Sequence, residues 1–154
     1  MPVRWFAFAG AVILLDQVTK NWVLAVFHLH ESVAVAPFFN LVLVMNPGAS
    51  FSFLADAGGW QKWFFIALAL GISAWLAVLI LRHAGERLMP AALALILGGA
   101  LGNVIDRIRF GAVVDFLDVH YAGWHWPAFN VADSAITLGV ILLLWHQLRH
   151  KSHD

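Results

Sequence analysis

GGALGNVIDRIRFGAVVDFLDVHYAGWHWPAFNVADSAIT, residues 98–137, is the stretch that decides how the chain is read. It begins and ends as apolar helix, yet it carries four of the nine acidic residues and two of the nine basic ones. Across its 154 residues the chain is 62% hydrophobic and only 12% charged, a balance that soluble domains do not show. This composition predicts an integral membrane protein. Charge gathered where apolar segments meet water therefore has a local purpose. A formal net charge of zero, with no basic run outside tails and short loops, excludes nucleic acid as a partner. The absence of cysteine excludes a disulfide frame, thiol catalysis and thiolate metal sites.

Working outward, residues 88–105 read as a membrane span, with Pro90 in its first turn and Gly98, Gly99 and Gly102 where another helix can approach closely. A further span covers about 133–148, so Asp133 opens it near the membrane surface. Upstream, residues 5–27 are long enough to cross a bilayer. The start has the basic and apolar regions of a signal peptide, but the small-x-small site Ala34-Val35-Ala36 lies far beyond the apolar stretch, so an uncleaved helix is expected. Asp16 and Lys20 lie four apart on one face of it, beside Gln17, Thr19 and Asn21. Unpaired, each charge costs roughly 3 kcal/mol to insert, so the pair must face protein or water. Residues 63–81 make an uncharged span held between Lys62 and Arg82.

Four spans place both termini on one side. Arg4, Arg82, Arg87, Arg149 and Lys151 fall on that side, which the positive-inside rule assigns to the cytoplasm. The connections at about 29–61 and 107–130 then face outward, and the tryptophans fall into an outer and an inner belt. Within the connections, 33–45 and 112–120 are β-branched and aromatic runs that predict a small sheet lying on the membrane. Residues 49–54, after Asn46-Pro47-Gly48, predict a short surface helix. No internal repeat or low-complexity linker divides residues 1–154, so the expectation is a single domain: an all-α bundle of four transmembrane helices with a small extracytoplasmic sheet.

Asp115, within an outer strand, and Asp133 are the leading candidates for chemistry. Two carboxylates brought together share a proton, so one can activate water while the other polarises a peptide carbonyl. The plain alternatives are a helix cap for Asp133 and a solvated strand residue for Asp115. Asp118, three positions along the strand, falls on the opposite face and is expected at the surface. Asp106, Arg107 and Arg109 read as an interfacial anchor that neutralises itself; the alternative is that Arg107 and Asn103 orient backbone or carboxylates at the site. Asn46 and Asn130 fit turns, or amides that clamp an extended peptide. His120 and His125 with Asp118 lack a recognised metal-ligand spacing. Ser50 and Ser134 lack a placed base for a serine mechanism. A small proton-coupled transporter using Asp16, Lys20, Asp106 and Asp133 is the alternative function, and a non-catalytic scaffold a third.

Five motifs carry a resemblance: Asp16-Gln17-Val18-Thr19-Lys20, Asn46-Pro47-Gly48-Ala49-Ser50-Phe51, Gly102-Asn103-Val104-Ile105-Asp106-Arg107, Val113-Val114-Asp115-Phe116 and Phe129-Asn130-Val131-Ala132-Asp133-Ser134. In order and spacing they resemble the bacterial lipoprotein signal peptidase family, signal peptidase II. The resemblance implies an aspartic endopeptidase of the inner membrane that cuts before a cysteine carrying diacylglycerol, without cofactor or metal. It implies Asp115 and Asp133 as catalytic dyad, Asn46, Gly48, Asn103, Arg107 and Asn130 at the substrate site, and Asp16, Lys20 and Asp106 in support. It also implies a β-cradle with a mobile surface helix over the site. The implied partners are lipidated prolipoprotein, membrane lipids and cyclic peptide antibiotics that inhibit the family.

Overall fold

The computed structural model describes residues 1–48 and 59–151. The expected surface helix at 49–54, and Ser50 with it, lie outside the described residues. In chain order the elements are α1 (Val3–Val26), β1 (Ser32–Ala36), β2 (Phe39–Asn46), α2 (Trp60–Arg82), α3 (Leu88–Phe110), β3 (Val113–Tyr121), β4 (Trp124–His125) and α4 (Val131–Lys151). Four helices are long and apolar enough to cross a membrane. The strands form one antiparallel sheet in the order β1-β2-β3-β4.

Helix α3 is the centre of the bundle, since 56% of its apolar window is buried inside the protein against 17–28% for the other three. Small residues permit this. A Cβ on Gly98 would stand 2.7 Å from the Ala9 carbonyl oxygen of α1, and one on Gly99 would collide with the Ala132 carbonyl of α4. From the other side, a Cβ on Gly139 of α4 would meet the Ala92 carbonyl oxygen of α3 at 2.7 Å. In lipid, where burial of apolar surface gives helices little reason to associate, such close packing is one of the attractions between them.

Several boundaries differ from the sequence reading. Helix α3 runs five residues past Ile105, which carries Asp106, Arg107 and Arg109 on helix rather than in a loop. It stops at Gly111, whose left-handed conformation (φ 76°) lets its N–H donate to the Arg107 carbonyl at 3.0 Å and turns the chain into β3. The run at 33–45, read as part of a small sheet, folds as a hairpin, with Pro37 and Phe38 between β1 and β2. One face of the sheet sits on the end of α1, where Val23 packs with Leu43, Val114 and Phe116. At the opposite end of the bundle, Arg4 donates to the carbonyls of Ala84 and Glu86 at 3.4 and 3.3 Å, and His146 of α4 lies 3.6 Å from the Glu86 carboxylate. The start of α1, the α2–α3 turn and the late part of α4 therefore share one end, and the sheet takes the other.

Replacing Gly99 with alanine drives a methyl into the Ala132 carbonyl and should lower stability by about 1–3 kcal/mol. Gly10 on α1 has nothing within 4 Å of its would-be Cβ. Thermal unfolding in detergent should show Gly99→Ala melting well below the parent and Gly10→Ala unchanged; equal melting temperatures would remove the close α3–α4 contact as a source of stability.

Candidate active site

Asp115 stands opposite Val44 in the β2–β3 ladder, and Asn46 stands opposite Val113. Residues two apart on a strand share a face, so Asn46 is the diagonal neighbour of Asp115. Its Nδ2 donates to Asp115 Oδ2 at 3.1 Å. Its Oδ1 accepts the Gly48 N–H at 3.0 Å, which leaves the amide only this orientation. Gly48, with φ 97° and the Phe65 ring against it, is thereby committed to holding Asn46.

From the other side comes Asn130. The Phe129 carbonyl accepts the N–H groups of Phe116 and Leu117, both at 2.9 Å, and the Phe129 N–H returns a bond to Leu117 at 3.1 Å. This stitching sets the start of α4 against β3. Asn130 caps the helix, its Oδ1 accepting the Asp133 N–H at 2.9 Å. Its Nδ2 faces the other way and donates to Asp115 Oδ1 at 2.8 Å. The cap is thus Asn130 and not Asp133. Asp133 Oδ1 accepts from Asn103 Nδ2 at 2.9 Å.

Behind the two carboxylates lies a buried ionic cluster. Lys20 Nζ is 2.8 Å from Asp16 Oδ2, 2.8 Å from Asp106 Oδ2, and donates to Asn103 Oδ1 at 2.9 Å. All three charged groups are at most 1% exposed. Asp16 Oδ1 accepts the Ala132 N–H at 2.8 Å, placing negative charge at the positive end of α4. Asp106 accepts the Val114 N–H at 3.0 Å and Gln17 Nε2 at 2.9 Å. Asp106 is therefore no interfacial anchor neutralised by Arg107 and Arg109; its cation is Lys20. Gln17, to which the sequence reading gave no role, joins Asp106 to Arg109, whose Nη1 donates to Gln17 Oε1 at 3.2 Å. Nothing local marks Gln17 for this, because its partners come from α3, more than eighty residues away.

Arg107 lies with its guanidinium 5.4 Å from the Phe65 ring centroid, and among the described residues its buried Nε has no hydrogen-bond partner. Its charge acts on Asp133, Asp106 and Asp115 without a direct ion pair among the described residues. Asp118 is not a surface residue: it is 7% exposed, accepting from Asn40 at 2.8 Å and pairing with His125 at 2.8 Å. Alternation alone predicts a surface position, but the β2–β3 ladder shifts register between Leu41 and Val44 and Asp118 is covered. His120 stacks on His125 with ring centroids 4.8 Å apart. Among the described residues no three acidic or histidine side chains are grouped to hold a metal ion.

Asp115 and Asp133 line one cavity of about 690 Å³, walled also by Trp126, Phe129, Leu138 and Ile141. Burial, and then the negative charge of Asp133, push the Asp115 carboxyl up from 3.8 to about 7, against the hydrogen bonds from Asn46 and Asn130 and the charge of Lys20. Asp16, Asp106, Asp115 and Asp133 fall in one hydrogen-bonded cluster beside the sheet, whereas a carrier's proton relay needs its carboxylates spaced through the bundle. The transporter alternative has no support in this arrangement.

Comparison with known proteins agrees with this geometry. The family model described as Signal peptidase (SPase) II matches residues 8–149. The chain is 58% identical to a lipoprotein signal peptidase of Azoarcus sp. (strain BH72), over 97% of this chain and 85% of the relative. It is 55% identical to one of Janthinobacterium sp. (strain Marseille), over 94% and 88%. Two bacterial membrane enzyme structures, determined by the in meso method at 2.3 and 1.9 Å resolution, are each 35% identical to it. They superpose with TM-scores of 0.86 and 0.84, covering 98% and 94% of this chain and 91% and 92% of their own. A model spanning nearly the whole chain, relatives sharing over half its residues and a common fold together show that the chain belongs to the signal peptidase II family.

Proposed function

We propose that the protein is an aspartic endopeptidase that removes the signal peptide from diacylglyceryl-modified prolipoproteins, with Asp115 and Asp133 as its dyad. The observation that carries this reading is that both carboxylates open into one cavity at the sheet end of the bundle, each held by an asparagine amide. With its carboxyl pushed up to about 7, Asp115 is the member of the dyad that holds the shared proton at lower pH. Asp133 takes a proton from water as the water oxygen attacks the scissile carbonyl carbon, while the Asp115 proton stabilises the developing oxyanion. The C–N bond then breaks as Asp133 returns its proton to the leaving nitrogen. Asn46, Asn103, Arg107 and Asn130 border the substrate, and Asp16, Lys20 and Asp106 hold the frame.

A lipidated cysteine arrives already anchored, so its scissile bond is confined near the interface and much of the orientation entropy is lost before binding. The setting we infer is the bacterial inner membrane. Arg4, Arg82, Arg87 and Arg149 belong to the end away from the sheet, which supports a topology with both termini in the cytoplasm and the dyad at the outer face. The whole chain acts as one domain. Besides prolipoprotein and bilayer lipid, cyclic peptide antibiotics that inhibit the family are expected to compete for the cavity.

Purified protein incubated with a diacylglyceryl-modified prolipoprotein should shift the precursor to the cleaved form on a gel. Asp115→Asn and Asp133→Asn should each lose at least about 100-fold in rate while melting as cooperatively as the parent. Turnover retained by either variant removes that residue from the dyad.

The raised Asp115 carboxyl gives two signs to check against pH. Activity should fall as pH rises through about 7, because the second carboxylate ionises and the acid is lost. Stability should also fall between about 4 and 7, since the folded state binds this proton more tightly than the unfolded one. Asp115→Asn should flatten that slope in unfolding measurements. A slope of the same size in the variant would assign it to another group.

A further inference from the structure

We propose that Lys20 and Asn103 are positioning residues for the reaction: through one chain of hydrogen bonds they set which member of the dyad holds the shared proton. This rests on the reading of Asp115 and Asp133 as the dyad and goes beyond it, because it assigns the asymmetry of the pair to a cation that touches neither carboxylate.

The chain is short and its polarity has only one solution. Lys20 Nζ donates to Asn103 Oδ1 at 2.9 Å, and Asn103 Nδ2 donates to Asp133 Oδ1 at 2.9 Å. An ammonium has donors only, so the oxygen of the Asn103 amide must face it and the NH₂ must face Asp133. Asn130 Nδ2, 3.3 Å from the same Oδ1, enforces the same orientation. A cation on the oxygen of an amide withdraws electron density from it and makes its N–H a stronger donor. A stronger donor favours the ionised form of the carboxylate it meets.

Asp115 has no matching arrangement. Its donors are Asn46, whose oxygen accepts a neutral backbone N–H from Gly48, and Asn130, whose oxygen accepts the neutral Asp133 N–H. Asp115 thus takes two amide donors and Asp133 one, but only the Asp133 donor carries an ammonium on its oxygen. Asp16 and Asp106 flank Lys20 at 2.8 Å each, so the buried amine has a carboxylate on two sides. Arg107 and Lys20 are the cations that act on the pair, and Arg109 is turned to Gln17 and Asn21.

The test is the dependence of kcat on pH with the diacylglyceryl-modified prolipoprotein at saturation. Asn103→Ala cuts the chain at the amide, while Lys20→Met with Asp106→Asn removes its source. The double change removes one cationic and one acidic side chain together, so the cluster's formal charge is unchanged. Each variant should move the acidic limb of the profile, where the dyad picks up its second proton, to higher pH by about one unit. That reads as about a tenfold loss of kcat on the acid side, with a smaller loss at the optimum. Combining the three substitutions should move the limb no further than either variant alone, because both act through the same hydrogen bond.

A merely structural role would lower the melting temperature or kcat at every pH and leave the limb in place. An unmoved limb in Asn103→Ala, or limb shifts that add in the combined variant, overturns the proposal. If the Lys20 double variant does not insert, the limb of Asn103→Ala decides alone. Failure of the dyad reading is seen separately, as turnover retained by Asp133→Asn.

Discussion

A lysine ammonium that has left water on all sides is the constraint on which this structure turns. Lys20 is 1% exposed inside an apolar bundle, and a charge in that position is tolerated only with its donors met by well-placed acceptors. The acceptors come from two helices: Asp16 one turn back on α1, and Asp106 and Asn103 on α3. Each acceptor is held in turn by a different element. Asp16 takes a backbone N–H at the start of α4, and Asp106 takes one from β3. Satisfying one cation therefore sets α1, α3, α4 and the sheet in register with one another. Gly102 belongs to the same constraint, because a Cβ there would lie 2.6 Å from Asp16 Oδ2.

The same requirement explains which parts of the chain are legible from sequence. Four spans are readable because length and apolarity are local properties, and a charged pair at positions 16 and 20 announces that one face of the first span is not for lipid. The end of α3 is less readable. Asp106, Arg107 and Arg109 look like the end of a helix reaching water, yet the carboxylate of Asp106 is wholly buried, and only the position of Lys20 in space reveals why. Asp118 is a failure of a different kind. Alternation along a strand speaks only of which face a residue takes, whereas exposure depends on what lies over that face, and here Asn40 and His125 cover Asp118. Asn130 was half legible. An asparagine three residues before an aspartate at the start of a helix is a capping pattern, and it assigns the cap to Asn130 and frees Asp133 for other work.

The proposed site residues came largely from resemblance, and the geometry supplies a physical reason for their types. Donors to the two carboxylates are asparagine amides, with no arginine or lysine in direct contact among the described residues. A guanidinium bonded to both acids would stabilise both charges and leave no proton to share, whereas neutral amides orient the carboxylates and still let one of them remain protonated. Arg107 fits this rule by its position. It is near enough for its charge to act on both acids, but it stacks on Phe65 instead of closing an ion pair with either.

Asparagine also brings a liability, since an amide can flip and offer its oxygen to a carboxylate, which repels it. Each of the three amides meets this with a donor on its oxygen: the Gly48 N–H for Asn46, the Asp133 N–H for Asn130, and Lys20 for Asn103. Two of these donors are backbone groups fixed by a turn and a helix start. The third is the buried cation itself, so the group that holds the bundle together also fixes one amide of the site. Fold and chemistry meet in that bond, and a substitution that weakens the bundle at Lys20 cannot leave the dyad as it was.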